Sequence, residues 1–352
     1  MPLGIGYASY VSYIQQAAFG TVGTPTVTAA HLRSGEIFSP RQTKNPRVTT
    51  TSVMPKASQT WTTMGLVDVN AEFEFVGTGS HAEFNPILQA AFGKRLRAAA
   101  AADFTHTYTV NNPPVDGGTD GTPAGAFYNH ALTMRQTVHD GTNAVATYVV
   151  QDICISRFTM TMEANALLRF GVQGVGQKMA ASTATAFSDI TGTTFSWIHA
   201  IAGANSGLYV GAANPPTTAV LVKRATFTLD NNLRFEPFLG AASGLELKLP
   251  TRNGFPTARL DLEMDFEDTA GTDAVVLMTD YLAGTDQNIS IKYYVGAANY
   301  VSLLASAATK PAIINNPRPV VNADGPVGFT VGFDIYPEAA ATDLTLVVMS
   351  DT

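Results

Sequence analysis

The segment Gly65–Gly93 limits the fold most strongly, because its periodicity changes halfway along. Val69, Ala71, Phe73 and Phe75 are apolar and alternate with Asp68, Asn70, Glu72 and Glu74. Period two marks a strand with one face buried and one face wet. A Gly-Thr-Gly-Ser break follows, and Asn85-Pro86 then opens a short helix. Asn85 suits the N-cap, Pro86 the first helical position and Gly93 the stop. Phe84, Ile87, Leu88, Ala91 and Phe92 share one face at helical spacing, so the helix is expected to lie on the sheet.

The same unit returns at Gly254–Gly284. Leu260, Leu262, Met264 and Phe266 alternate with Arg259, Asp261, Glu263 and Asp265. A glycine-containing break, Thr272 or Asp273 as N-cap, the apolar run Ala274–Leu282 and Gly284 complete it. A repeat at this distance predicts two similar halves, since solenoid periods are much shorter.

Composition agrees with a mainly β chain. Only 14% of the 352 residues are charged, and Thr, Ala, Gly, Asn and Pro fill the gap. Such a mixture suits many short strands joined by turns. It also suits a protein that buries surface against copies of itself, because interface cores are depleted of charge. A net charge of −7 argues against an electrostatic grip on nucleic acid. The single Cys154 excludes an internal disulfide and fits a reducing compartment. No apolar run approaches a membrane span, and the start MPLGIGYASY lacks the pattern of a signal peptide, so a soluble cytoplasmic product is expected.

Along the chain, residues 1–25 read as a short helix or an arm, and 26–64 as two or three strands including Arg47–Val53 and Gln59–Met64. Asn111–Gly125, rich in Pro, Gly and Asp, reads as a mobile loop. Strands are expected at Phe104–Val110 and His130–Val138, then within Val145–Val175, where Phe158, Met160 and Met162 face one way. Residues 178–216 are small and irregular apart from Phe195–Ile201, and the halves divide there. Ala225, Phe227 and Leu229 open the second half; Asn288–Val295, Val327–Tyr336 and Leu344–Met349 supply its later strands. The resulting division is 1–180, a connection at 181–216, and 217–352.

No enzymatic constellation emerges. Six histidines lack metal-ligand spacing. Cys154 lies in an alternating run and reads as a small core residue, its thiol made inert by burial. Gly171, Gly174 and Gly176 match neither dinucleotide nor phosphate loops, and mark places where backbones approach closely. Asp261, Glu263 and Asp265 point the same way, as a cation site, a catalytic pair or, the favoured reading, a solvated strand face. Lys94, Arg95 and Arg97 are read as ending a helix, either as dipole-complementing, solubilising cations or as a contact with an acidic patch on a neighbouring subunit.

Four stretches in this order resemble one family. They are YVSYIQQAAFGTVGTP, GLVDVNAEFEF with NPILQAAFG, VVQDICISRFTMTMEANALLRFGVQGVG, and VKRATFTLDNNLRFEP leading into GFPTARLDLEMDF. The pattern is similar to the tail tube proteins of long-tailed bacteriophages, in their larger form. That resemblance implies a duplicated β-sandwich, each half with one short helix on its sheet, plus long loops and terminal arms. It implies rings stacked into a hollow tube through which phage DNA reaches the host. A chain with two tube domains implies a trimeric ring of pseudo-sixfold symmetry; one domain with a large insertion implies a hexamer. The length favours an unsheathed tail.

The implied partners are the chain itself, the tape measure, the initiator and terminator complexes, and DNA passing without specific binding. No cofactor, metal or membrane is implied, and the implied location is the virion tail, after assembly in the host cytoplasm. A conduit must not hold its cargo, and basic residues would bind duplex DNA strongly. Asp68, Glu72, Glu74, Asp261, Glu263 and Asp265 are therefore expected to contribute to the lumen. Lys94, Arg95, Arg97, Asn111, Asp116 and Asp120 are expected at contacts between subunits or rings, where loop and arms order on stacking. The rival reading is a soluble β-sandwich binding module, carbohydrate-binding or fibre-like, with Tyr293 and Tyr294 as its aromatic pair.

Overall fold

The period-two segments become strands, and strands dominate. The computed structural model describes residues 5–16, 41–50, 57–74, 76–77, 85–100, 103–110, 131–139, 144–163, 166, 168–181, 196–197, 207–234, 237–240, 244–247, 250–266, 274–296, 299–307, 310–321, 327–336 and 344–351. The first strands are β1 (Ile5–Gln15), β2 (Arg41–Thr50), β3 (Ala57–Glu74) and β4 (Val76–Gly77), followed by helix α1 (Asn85–Phe92). Next come β5 (Gly93–Ala100), β6 (Asp103–Val110), β7 (Leu132–His139), β8 (Ala144–Glu163), β9 (Arg169–Gly176) and β10 (Lys178–Ala181). The middle of the chain holds β11 (Ser196–Trp197), β12 (Gly207–Gly211), β13 (Ala219–Val220), β14 (Arg224–Asp230) and β15 (Leu233–Arg234). Three short strands, β16 (Pro237–Gly240), β17 (Gly244–Leu247) and β18 (Thr251–Arg252), precede β19 (Thr257–Asp265) and helix α2 (Ala274–Ala283). The chain closes with β20 (Asn288–Gly296), β21 (Asn299–Ala305), β22 (Ala312–Val320), β23 (Gly328–Ile335) and β24 (Leu344–Asp351).

Two large antiparallel sheets form a β-sandwich. The main sheet runs β2-β3-β9-β8-β14-β19-β23-β22, with β7, β10 and β1 attached beside β8. The second runs β13-β12-β20-β21-β24-β6-β5. Main-sheet residues Phe158, Phe227, Leu260 and Phe333 and second-sheet residues Tyr108, Val301, Leu303 and Leu346 belong to one buried cluster. Phe158 stands at its aromatic centre, 5.4 Å from Phe92 of α1 and 6.5 Å from Phe227 by ring centroids. The alternation predicted both sides of this arrangement, since Val69, Ala71, Leu260, Leu262 and Met264 are buried while Asp68, Glu72, Arg259 and Glu263 are exposed.

Both helices stop where expected. Gly93 takes φ 98° and Gly284 φ 65°, left-handed values that favour glycine. At α2 the Thr285 amide donates to the Asp280 carbonyl and the Gly284 amide to that of Tyr281, so the last carbonyls are capped. One expectation fails. Residues 178–216 were read as irregular outside Phe195–Ile201, yet β12 lies there and pairs with β20, burying Leu208 and Val210. Its two-residue alternation between glycines is too short to stand out from turn sequence. The proposed caps Thr272 and Asp273, the loop Asn111–Gly125 and the turn at Asp140-Gly141 lie outside the described residues.

β8 is the spine of the main sheet. One edge of it pairs with β9 and then β10; the other pairs with β7 along 144–153 and with β14 along 157–163. Where the partners change, Asp152 has φ 55° and the register with β9 slips between Ile155 and Arg157. The β9 glycines permit the close approach there. A Cβ on Gly174 would stand 2.6 Å from the Cys154 carbonyl oxygen, and one on Gly176 3.0 Å from that of Gln151. Asn231 ties the junction together from the far side. It is fully buried, and its Nδ2 donates to the Ala91 carbonyl at the end of α1 (2.8 Å) and to Ile155 of β8 (3.1 Å).

Gly174→Ala is expected to destabilise the dilute protein by about 1–3 kcal/mol, because backbone must move to admit the methyl group. Asn231→Ala is expected to lose about 1–3 kcal/mol by stranding two buried carbonyls. Denaturant unfolding of both variants checks this.

Candidate functional site

The polar face of the main sheet collects the acidic residues that the alternation singled out. Register places them in rows across the strands. Glu74, Arg169, Thr161, Thr226, Asp261 and Gly332 form one row from β3 to β23, and Glu72, Gly171, Thr159, Thr228, Arg259 and Asp334 the next. A third row reads Glu163, Arg224, Glu263 and Thr330. Asp68 and Glu72 are exposed on β3, Glu263 is exposed on β19, and Asp261 and Asp265 are half-buried beside it. Glu74 lies in its row by register, while its side chain is outside the described residues. The two acidic strands stand four strands apart, about 19 Å at ordinary strand spacing.

Arginines and a lysine lie between the acids. Arg259 Nε donates to Asp261 Oδ1 at 2.8 Å, and this hydrogen bond, with the nearby Asp261 and Asp334 charges, holds the guanidinium above its usual value. Arg224 meets Glu163 at 3.2 Å, Arg157 meets Asp230 at 3.1 Å, and Lys223 donates to Asp265. Asn315 Nδ2 donates to Asp334 at 2.6 Å. The sequence reading saw the acids and overlooked this interleaving, although Arg157, Arg224 and Arg259 occupy the same outward positions of the alternation. Opposite charges facing across strands support the sheet modestly.

Gly332 leaves a gap in the row. A Cβ there would stand 3.0 Å from both Arg259 Nη2 and Asp261 Oδ1, and the glycine floors an open hollow of about 240 Å³ lined by Arg224, Arg259, Asp261, Glu263 and Asn316. Its acids face cations rather than one another. On β19, Asp261 and Asp265 form ion pairs with Arg259 and Lys223, and the exposed Glu263 stands between Arg224 and Thr330 by register. Among the described residues no three His, Cys, Asp or Glu side chains gather as a metal-binding cluster.

The basic cluster requires a correction. Lys94, Arg95 and Arg97 do not end the helix: α1 stops at Phe92, Gly93 reverses the chain, and all three lie on β5, paired with Thr109, Tyr108 and His106 of β6. Pairing with β6 overrides the strong intrinsic helical preference of this Lys-, Arg- and Ala-rich segment. Arg95 Nε donates to Nδ1 of the buried His106 at 3.2 Å. β5 is the end strand of the second sheet, where cations discourage indiscriminate edge pairing. Asn111, Asp116 and Asp120 lie outside the described residues.

The remaining candidates read as structure. Cys154 is buried, and burial followed by the Asp152 charge pushes its thiol well above the ordinary value. Tyr293 packs against the core rather than forming an exposed platform, and burial raises its hydroxyl likewise. The side chain of Tyr294 is not described. No helix among the described residues is long and apolar enough to cross a membrane.

Two antiparallel sheets sharing one buried cluster, with exposed ion pairs on the polar face of the main sheet, define a mainly β sandwich protein. The chain belongs to the phage tail tube protein family, whose family model matches residues 6–335. That membership places it among structural proteins of the virion, in the tail, which assemble with themselves and with other tail proteins. A search of curated proteins found no match.

The ion pairs on this face are exposed, so Arg259→Ala and Arg224→Ala are each expected to change the stability of the dilute protein by less than about 1 kcal/mol. Thermal melts at low and high salt check this; a loss of several kcal/mol would assign these arginines a structural role instead.

Proposed function

We propose that this chain is the repeating subunit of the tail tube, closing as a trimer into a ring of pseudo-sixfold symmetry that stacks into a DNA conduit. One observation carries the reading. The main sheet repeats a four-strand order: β2-β3-β9-β8, then β14-β19-β23-β22. In each quartet the long strand ahead of the helix, β3 or β19, pairs on one side with an earlier strand of the chain: β2 directly before β3, and β14, which four short strands separate from β19. On the other side it pairs with the second strand of a hairpin, β9 or β23. The two quartets correspond to duplicated tube domains at 1–180 and 217–352.

Inside the chain the quartets join through β8 and β14, whereas β2 and β22 end the sheet. A second join of the same kind, between β22 of one chain and β2 of the next, would close a ring, and six equivalent quartets require three chains. Edge strands that are a hazard in a monomer become joints in such a ring. The resemblance of the whole chain to tail tube proteins supports stacking, with residues 111–125 and the terminal arms ordering between rings. It also supports the tape measure, initiator and terminator as partners, an unsheathed tail, and assembly in the host cytoplasm.

The polar face of the main sheet faces the lumen in this reading. On this face the acids outnumber the arginines and lysine interleaved with them, so DNA finds no continuous basic track to bind. The role is a passive conduit without catalysis or cofactor.

Negative-stain electron microscopy of concentrated protein is expected to show rings or hollow tubes with threefold averages resembling sixfold ones. Strict sixfold rings of six chains would replace the trimer, and persistent monomers in the presence of a tail initiator would end the tube reading. In assembled tubes, Asp261→Lys with Glu263→Lys is expected to slow DNA release; unchanged release would remove this face from the lumen.

A further inference from the structure

Repeated helices in unequal surroundings expose an unfinished surface. In α1, Ile87, Leu88, Gln89, Ala90, Ala91 and Phe92 are all buried. That helix packs on β5 and β6 and is also covered by β1, β7 and β8. The cover exists because β8 spans 20 residues and its 144–153 half continues past β14, carrying β7 and then β1 with it. β22, which holds the place of β8 in the second quartet, has nine residues and no such continuation.

The second helix is therefore left open. α2 reads AVVLMTDYLA, apolar on nearly every side, the composition of a helix meant to be surrounded. Yet only Ala274 and Leu277 are buried. Val276, Thr279, Leu282 and Ala283 share the outward side and are exposed, Leu282 at 78%, and Tyr281 flanks them at 44%. Its capped end and the Gln287 to Asp280 hydrogen bond hold this side in place. α2 packs chiefly on β22, beneath it.

We propose that the outward side of α2 docks against a second copy of this chain, which covers it as β1 and β7 cover α1. A single chain carries two such helices and, among its described residues, one such cover. Repetition of the chain in an assembly supplies the other, so this inference rests on the assembly reading above.

The test uses the full chain with Leu282→Cys, and separately Thr279→Cys on the same side. Cys154 is buried, so the introduced thiol is the reactive one. Maleimide labelling rates are compared between dilute and concentrated protein, with electron microscopy of the same samples. Labelling is expected to slow by about tenfold or more on assembly for both variants, as an interface amide or thiol reacts only through local opening. Where concentration alone gives no assembly, a tail initiator is added; equal rates in dilute and assembled protein overturn the docking. A thiol already blocked in the dilute monomer also overturns it, because another segment of the same chain, such as residues 111–130, would then be the cover. Tubes with an unprotected thiol overturn the docking and leave the tube reading standing. A protected thiol in an assembly that is not a tube does the reverse.

Discussion

The pairing of β8 with β14 is the constraint on which the rest depends. It joins sequence separated by some sixty residues through seven registered pairs, Arg157 with Asp230 to Glu163 with Arg224. Each backbone hydrogen bond contributes only about 0.5–1.5 kcal/mol net. Their common effect is to place Phe227 against Phe158, where burial of one such ring contributes about 1.5–3 kcal/mol. The same junction sets the corner of β8, since β14 and β7 share one edge of it and cannot both continue straight. Gly174 and Asn231 then become necessary, one to let backbone approach and the other to satisfy carbonyls left at the corner. In the second sheet β24 performs the matching task by lying between β21 and β6.

What could be read from residues alone followed from period. The strand-helix units were legible because their alternation is long and their glycine stops need left-handed backbone, as φ at Gly93 and Gly284 shows. The close approach of the β9 glycines was legible from their spacing. Pairing between distant strands was not. Nothing local in Leu344–Met349 says that it joins both halves, because partner choice for a strand depends on the geometry of the whole sheet. β5 illustrates the same limit: its basic residues resemble a helix end until β6 is beside them.

The candidate face was legible in its acids, and the cations set among them came only with the register. Counting carboxylates on β3 and β19 suggested an acidic lining. The arginines of β8, β9 and β14 belong to strands hundreds of atoms away along the chain, and only register brings Arg224 opposite Glu163 and Glu263. In the proposed conduit this interleaving would matter for transport. Repulsion between a uniformly acidic wall and DNA grows as salt falls, whereas paired charges cancel beyond roughly a Debye length, about 8 Å at physiological ionic strength.

The inequality of the halves has a physical logic of its own. Two identical tube domains fused in one chain would present identical edges and identical helices, and nothing would distinguish the joint within a chain from the joint between chains. Extending β8 on one side alone breaks that equivalence. It completes the first core within the chain, burying α1 from Ile87 to Phe92, and leaves α2 with an exposed apolar side. In the proposed assembly this inequality gives the chain a head-to-tail polarity, which favours closure around a ring or growth along a tube over symmetric pairing.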